Sequence, residues 1–136
     1  MIIRLFILLS IILPMTGCFE QRYTQDKMCG GRLAHWLSPS AGIGELAILQ
    51  PITVTSNDRI IWNGTGIGEE TLSRYLHLTN RMNPTPQIVL RVEDGASCGA
   101  VNHVRAQIDQ IIECQRLRGC GEGTGWRRWP GARPEA

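Results

Sequence analysis

The sequence has few aromatic residues, little net charge and no hydrophobic run of membrane-spanning length. Aromatic side chains make up 6% of its 136 residues, and 14 basic residues are balanced by 12 acidic ones. Such a chain has neither the positive field nor the stacking surface that nucleic-acid binding requires. We therefore expect no nucleic-acid partner. The apolar run that ends at Phe19 is shorter than the ~20 residues of a transmembrane helix.

The start of the chain has the order of an export signal. Arg4 supplies a positive charge, residues 5–13 form an apolar stretch, and small residues precede Cys18. This order is typical of a secretory signal peptide. It also resembles the lipobox of bacterial lipoproteins, in which the cysteine is lipidated and becomes the first residue. We predict a lipoprotein-type signal peptide over residues 1–17 and lipidation at Cys18, with a plain signal peptide or a one-pass anchor as alternatives.

The same signal predicts a location. In lipoprotein signals an aspartate after the cysteine commonly retains the protein at the inner membrane, whereas this chain has Phe19 at that position. We therefore expect a periplasmic protein that is anchored by lipid to a bacterial membrane, and the residue after Cys18 favours the outer membrane.

Four further cysteines lie beyond the signal: Cys29, Cys98, Cys114 and Cys120. In an exported protein an even number of cysteines is typical of disulfides. A helix from Cys98 past Cys114 would separate these two by ~24 Å, whereas a disulfide tolerates ~7 Å. If Gly119 ends this helix in the left-handed conformation, Cys120 folds back towards Cys114. We predict the pairs Cys114–Cys120 and Cys29–Cys98, with free or metal-binding thiols as the alternative.

Hydrophobic periodicity predicts a small α+β domain. Alternation and turn residues predict a β-hairpin over 51–63, and an apolar, β-branched run predicts a strand over 87–92. Helical spacing predicts helices over 69–82 and 98–117, with Ser97 as the N-cap of the second. The first helix should bury one face, which consists of Leu72, Tyr75, Leu76, Thr79 and Met82. We expect a small sheet with both helices packed on one face, and a core of Leu72, Leu76, Val101, Val104, Ile108 and Ile112.

The domain boundaries follow from composition. Residues 18–43 show no hydrophobic period and are predicted to be a tether, whereas residues 44–118 contain the α+β domain. Residues 119–136 are rich in glycine, arginine and proline, which predicts a mobile tail.

The tail carries a cluster of tryptophan and arginine. Trp126, Arg127, Arg128 and Trp129 combine amphipathic rings with positive charge, a combination that suits membrane interfaces and anionic polymers. We count these residues as candidates for partner contact. A loosely packed tail without such a role is the alternative.

No set of residues in the sequence amounts to an active site. Residues 63–68 place glycines between a strand and a helix, but Glu69 occupies the third glycine position of a dinucleotide-binding loop. We predict a flexible connection there. The cluster that remains for metal binding or acid–base chemistry is Cys98, His103 and Glu93, although a five-residue spacing does not place Cys98 and His103 on one helix face. We expect no catalytic residues, no metal and no cofactor.

Residues 51–112 resemble the periplasmic domain of the ExbD/TolR family of biopolymer-transport proteins. The matching segments are ITVTSNDRIIWNG (52–64), EETLSRYL (69–76) and PQIVLRVE (86–93). In the third segment the family has a buried strand that ends in Arg, a small residue and Asp, where this chain has Arg91, a valine and Glu93. Cys98 stands where the family usually has tyrosine, and an apolar helix follows.

The resemblance implies a non-enzymatic partner of a proton-driven motor in the inner membrane. The family's periplasmic domain dimerises and contacts envelope proteins or peptidoglycan. Its transmembrane helix carries a proton-handling aspartate, whereas residues 1–18 contain no acid, so we expect no proton coupling. The family's closing strand after the second helix is predicted to be missing or replaced by the tail from Cys120.

We therefore expect a non-enzymatic cell-envelope protein that binds protein or peptidoglycan partners of an envelope transport system. Besides the tail cluster, Arg91 and Glu93 are the candidates for partner contact, and a homodimer is a further expectation. A small exported metal-binding protein or enzyme that uses Cys98, His103 and Glu93 is the alternative. A purely structural lipoprotein with a degenerate domain is a third reading of the sequence.

Overall fold

A computed structural model describes residues 20–44 and 46–129, with the backbone only at Trp129. A five-stranded mixed sheet has the spatial order β4-β3-β2-β5-β6. Its strands are β2 (Leu49–Val54), β3 (Ile60–Trp62), β4 (Thr65–Ile67), β5 (Gln87–Val92) and β6 (Cys120–Glu122). The helices are α1 (Glu69–Asn80), α2 (Cys98–Ile112) and α3 (Cys114–Leu117). A second, two-stranded sheet consists of β1 (Ile43–Gly44) and β7 (Arg128–Trp129).

The predicted α+β class is confirmed. Strands β2, β5 and β6 run parallel, and α2 connects β5 to β6. Both long helices pack on one face of the sheet and contact each other. The six predicted core residues are all buried, and they meet the inward-facing residues of the central strands, which include Ile52, Val54, Ile88 and Leu90. The sheet and helices thus enclose one hydrophobic core.

The hairpin region contains one strand more than the sequence predicted. Strand β3 pairs antiparallel with both β2 and β4. Asn63 and Gly64 connect β3 to β4 with φ angles of 47° and 81°. Positive φ at both central residues is the geometry of a two-residue hairpin turn, for which Asn-Gly is the preferred sequence. The prediction of a flexible connection over 63–68 was therefore wrong.

Both helices end earlier than predicted. The α1 helix ends at Asn80, and Met82, which we expected on its buried face, is an exposed residue beyond it. In α2 the Ser97 hydroxyl accepts a hydrogen bond from the amide of Ala100 at 3.2 Å, which is the predicted N-cap. This helix stops at Ile112 because Glu113 adopts a left-handed conformation with φ 53°.

The two predicted disulfides are confirmed. Cys29 pairs with Cys98 and Cys114 pairs with Cys120, with Cα separations of 5.2 and 5.4 Å. The turn that brings the second pair together differs from the predicted one, because Arg118 and not the following glycine is left-handed, with φ 50°. The predicted pair is therefore correct, whereas the predicted left-handed residue is wrong.

The predicted tether is part of the domain. Tyr23, Trp36 and Ile43 are buried, and Tyr23 and Trp36 belong to the main core. Arg22 forms a β-bridge with Ser97. The tether prediction was wrong because the apolar residues of this segment are too widely spaced to show a period, although their side chains fill the side of the core.

The predicted mobile tail is also wrong for its described part. Residues 120–122 form β6, which pairs with β5, so the closing strand that we expected to be missing is present. Residues 128–129 pair in parallel with β1. The sequence CGE has no alternating apolar pattern, because Cys120 is disulfide-bonded and the other two residues are a glycine and a buried acid.

Candidate functional site

An apolar groove opens at the end of the sheet where β2 starts and α1 ends. It encloses about 340 Å³, and its apolar lining consists of Ile48, Trp62, Tyr75, Leu78, Met82 and Pro86. Ile48, Leu78 and Met82 are 54%, 52% and 53% exposed. Single exposed apolar residues are common at protein surfaces, but several large ones grouped around a concave site indicate an interaction surface.

The groove exists because α1 has two apolar stripes and buries only one of them. Leu72 and Leu76 are completely buried in the core. Tyr75 and Leu78 lie on the neighbouring stripe, three residues apart on one side of the helix. Tyr75 is only partly covered and Leu78 is 52% exposed, so this second stripe becomes one wall of the groove.

The other walls are aromatic and amide side chains. The rings of Trp62 and Tyr75 pack with centroids 5.3 Å apart and planes tilted by 56°, a favourable arrangement for aromatic pairs. At the rim, the amide of Gln50 donates a hydrogen bond to Asn63 Oδ1 at 3.0 Å. Within the part of the chain that the structure describes, no charged side chain lines this groove. It suits an apolar ligand with a few polar groups.

The groove lies far from the point where the chain enters the domain. Cys98, after the carboxyl end of β5, donates its amide hydrogen to the carbonyl of Gln21 at 2.8 Å. Pro86 immediately precedes the opposite end of the same strand. A strand of six residues covers about 17 Å. The groove and the described start of the chain therefore lie at opposite ends of the sheet.

The two partner-contact candidates near β5 do not belong to this groove. Arg91 is exposed on the strand, on the other side from the buried core positions. Glu93 follows the strand, and its carboxylate accepts a hydrogen bond from the amide of Ser56 at 2.9 Å. Glu93 thus links two turns at the end opposite to the groove.

The tryptophan and arginine cluster of the tail is spread along a folded segment. Trp126 donates a hydrogen bond to the carbonyl of Gly123 at 3.0 Å, and its ring occupies the space where a side chain at position 121 would stand. Arg127 is exposed, Arg128 donates a hydrogen bond to the carbonyl of Ala47 at 2.8 Å, and Trp129 pairs with β1 through its backbone. These contacts hold the described part of the tail against the domain.

The alternative trio of Cys98, His103 and Glu93 lacks a common geometry. The sulfur of Cys98 is bonded to Cys29. His103 lies 3.3 Å from the carboxylate of Glu69 on α1. The described residues contain no group of three or more His, Cys, Asp or Glu side chains placed to hold a metal ion.

A buried ion pair that the sequence analysis missed joins three parts of the fold. Arg105 of α2 donates to both carboxylate oxygens of Glu122 in β6, at 2.8 and 2.5 Å. It also donates to the carbonyls of Met28 and Cys29. The two charged side chains are 4% and 1% exposed. One guanidinium therefore fixes the N-terminal segment to the helix and the closing strand.

The buried pair also affects a neighbouring phenol. Burial, and then the negative charge of Glu122, raise the pKa of Tyr23 above 10.0, with a smaller contribution from Asp94. Arg105 acts in the opposite direction. Arg105 lies four residues after Val101, in the buried stripe of α2. This spacing is the sequence signal that could have identified Arg105 as an inward-facing residue.

A second polar cluster ties the N-terminal segment to α2. Asp109 accepts a hydrogen bond from the indole of Trp36 at 2.9 Å, and the imidazole of His35 lies 2.5 Å from the same oxygen. The side chains of His35 and Asp109 are about one-third exposed. Both partners of Asp109 belong to the N-terminal segment that we predicted to be a tether, so this cluster fixes that segment to α2.

The membrane-related predictions fall mostly outside the described structure. The signal peptide over 1–17 and the lipidation site Cys18 lie outside the described residues, as do residues 130–136 of the tail. Among the described residues, no helix has both the length and the apolar character needed to span a membrane.

Together, the fold and the groove define the class of the protein. It is a disulfide-bonded α+β domain with a five-stranded mixed sheet, two helices on one face and an exposed apolar groove at one end. In comparison with known proteins, no family model matches the sequence, and no curated protein is significantly similar to it.

Proposed function

We propose that this chain is a non-enzymatic cell-envelope protein that binds a partner protein in its apolar groove. The observation that carries the proposal is the groove itself, with three half-exposed apolar side chains around an aromatic wall and no charged lining residue in the described structure. Peptidoglycan is a polar polymer and fits this lining poorly. An apolar segment of another envelope protein has the chemistry that the groove requires.

The proposed location is the periplasm, with Cys18 lipidated and the outer membrane as the favoured site. Two disulfides are typical of proteins in oxidising compartments, which supports export. The described chain starts at Glu20, two residues after Cys18 in the sequence, and Gln21 contacts Cys98 at the end of the sheet opposite to the groove. We propose that the lipid anchor attaches the domain to the membrane from this end. In that arrangement the groove faces away from the membrane and is open to a partner.

The ExbD/TolR-like relationship is retained as part of this proposal. The order of a hairpin, a helix, a buried strand and a second helix supports it, and so does the closing strand β6. In this chain the outer edge of β6 forms a bridge with Leu37. A homodimer through that edge would have to displace the N-terminal segment, so we propose binding through the groove without a proton-coupling helix.

The metal-binding or enzymatic alternative gains no specific support. It needs the thiol of Cys98, which the disulfide consumes. It also needs His103 and Glu93 to converge, whereas each contacts a different part of the fold. We therefore do not propose a second function.

Site-specific photo-crosslinking tests the proposed partner site. A photoreactive residue replaces Met82 in the full chain in its bacterial host, and the crosslinked partner is identified by mass spectrometry. We expect one dominant partner, and we expect Leu78→Asp to abolish its crosslink because the charge would be desolvated on binding. The matched control places the photoreactive residue at Leu117, an exposed apolar position outside the groove. Equal crosslinking from both positions, or no effect of Leu78→Asp, would contradict the proposal.

Intact mass of the membrane-extracted protein tests the proposed anchor. We expect a chain that begins at Cys18 and carries a lipid, and a mass increase of about four hydrogens on reduction of its two disulfides. Cys18→Ser should release the protein from the membrane fraction. A chain that retains residues 1–17, or one that lacks lipid, would be inconsistent with the lipoprotein assignment but not with the groove.

A further inference from the structure

A second groove lies between α1 and α2, near the carboxyl ends of both helices. It encloses about 530 Å³. The lining side chains that bear on its chemistry are His77, Asn80, Gln107, Gln110, Ile111 and Glu113. This helix groove shares no lining residue with the apolar groove. Its polar walls indicate a ligand of a different kind.

Two amide oxygens of the helix groove lack hydrogen bonds. Asn80 Oδ1 and Gln107 Oε1 are buried, and neither has a partner among the residues that the structure describes. The nitrogen of the Gln107 amide is engaged at the other end, 3.2 Å from His103 Nε2. Buried acceptors without a donor destabilise a protein, and each one in a native fold calls for an explanation. A ligand with N–H donors would supply the missing bonds.

The electrostatics of the helix groove favour a cation. The two helices run in the same direction. Glu69 at the start of α1 contacts His103 in the first half of α2, whereas Asn80 at the end of α1 lines the same groove as Gln110 and Ile111 near the end of α2. Both carboxyl ends, each with a partial charge of about half an electron, therefore point the same way. Glu113 adds a carboxylate, which Arg116 partly neutralises at 2.5 Å. Lys and Arg are absent from the described lining.

We propose that the helix groove binds an organic cation, in the form of an ammonium or guanidinium group on an aliphatic stem. The cationic head donates hydrogen bonds to Asn80 Oδ1 and Gln107 Oε1. Its charge interacts with the two helix ends and with Glu113, and the stem packs against Ile111, as the stems of lysine and arginine do on apolar surfaces. The same chemistry is found in a free diamine and in a basic side chain of another protein. This site does not depend on the apolar groove.

Isothermal titration calorimetry of the full chain tests this site with four probes. The probes are 1,4-diaminobutane, a neutral peptide with one central lysine, its acetyl-lysine counterpart and inorganic phosphate. We expect heat of binding from the diamine, from the lysine peptide or from both, and none from phosphate or the acetylated peptide. Binding of the diamine would indicate a free diamine as the ligand, and binding of the lysine peptide would indicate a basic side chain of another protein. Binding of phosphate, or no binding of either amine at millimolar concentration, would overturn the proposal.

Charge-changing variants show whether binding occurs in the helix groove. Gln110→Glu places a negative charge on the exposed rim, and we expect binding of the amine to become several-fold tighter. Asn80→Ala removes one acceptor, and we expect roughly tenfold weaker binding. The matched control is Gln25→Glu, which makes the same charge change on an exposed turn outside the groove. Thermal unfolding verifies that each variant folds, and equal responses of Gln110→Glu and Gln25→Glu would rule the site out.

Discussion

The two edges of the sheet differ in how far other parts of the chain cover them. At the β6 edge, the N-terminal segment covers the strand through the bridge of Leu37 and the bonds of Arg105. A disulfide from Cys29 to Cys98 fixes the same segment to α2. The β4 edge has no such cover in the described structure, and the exposed apolar groove lies on this half of the molecule, against β2, β3 and α1.

The difference assigns the two halves of the sheet to different roles: the β6 edge stabilises the fold, and the half that contains β4 carries the proposed recognition surface. The closed edge uses a disulfide and a hydrogen-bonded ion pair, whose removal disturbs the whole fold. The open edge is kept short, at three residues, and the guanidinium of Arg59 fills the space beside Gly66. Short strands and positive charges at an edge discourage unwanted pairing between sheets. The apolar groove can therefore remain exposed, because the neighbouring edge strand β4 disfavours pairing with strands of other chains.

The largest expected effect is at the closed edge. Glu122→Gln leaves the buried Arg105 without its counter-ion, which should lower the free energy of unfolding by about 3–5 kcal/mol. Chemical denaturation measures this loss. The control is Glu113→Gln, which breaks the exposed pair with Arg116 and should change stability by no more than about 1 kcal/mol. Similar losses in both variants would show that the closed edge has no special role in stability.

The two disulfides should differ in a predictable way. They close loops of 69 and 6 residues. The loop-entropy relation gives about 4 kcal/mol for the long loop and about 2 kcal/mol for the short one. We expect the double substitution C29S/C98S to destabilise the protein about twice as much as C114S/C120S, measured by urea unfolding under non-reducing conditions. An equal or reversed order would indicate that the N-terminal segment adds little to the closed edge.

Local sequence signals predicted the central part of the fold and missed its closed edge. The buried strand β5 and the stripes of α1 and α2 follow from spacing alone, because each buries several apolar residues in a regular period. The N-terminal segment uses isolated residues such as Tyr23 and Trp36. Strand β6 depends on a buried acid that is satisfied by Arg105. Such long-range pairing leaves no local periodicity to detect.

A smaller effect should appear at high pH. Because the pKa of Tyr23 is raised above 10.0, the folded protein retains the phenol proton at pH values where the unfolded chain loses it. The corresponding stability is complete below pH 10.0 and is lost as the pH rises through the pKa of the folded protein. We expect wild type to lose more stability than Tyr23→Phe between pH 9 and 11, with urea titrations at each pH as the measurement. Parallel pH profiles for the two proteins would contradict the assignment.

The candidate site was harder to predict than the fold. Helical spacing placed Tyr75 and Met82 on one face with Leu76, because a single apolar stripe was assumed. The helix ends at Asn80, and Met82 beyond it is exposed. Trp62 lines the groove only because the hairpin places the end of β3 beside α1. A groove formed by three separate elements has no signature in any one of them.

The smallest effect on stability should come from the groove itself, and it provides the most direct contrast within one helix. Leu76 is completely buried and Leu78 is about half exposed. We expect Leu76→Ala to cost about 2–5 kcal/mol, whereas Leu78→Ala should change the free energy of unfolding by no more than about 0.5 kcal/mol. The same Leu78→Ala protein should show weaker partner crosslinking from position 82, since truncation of a residue that anchors an interface costs more than about 1 kcal/mol of binding free energy. A large loss of stability in Leu78→Ala would mean that this stripe is part of the core, and the separation between a stabilising edge and a recognition surface would then fail.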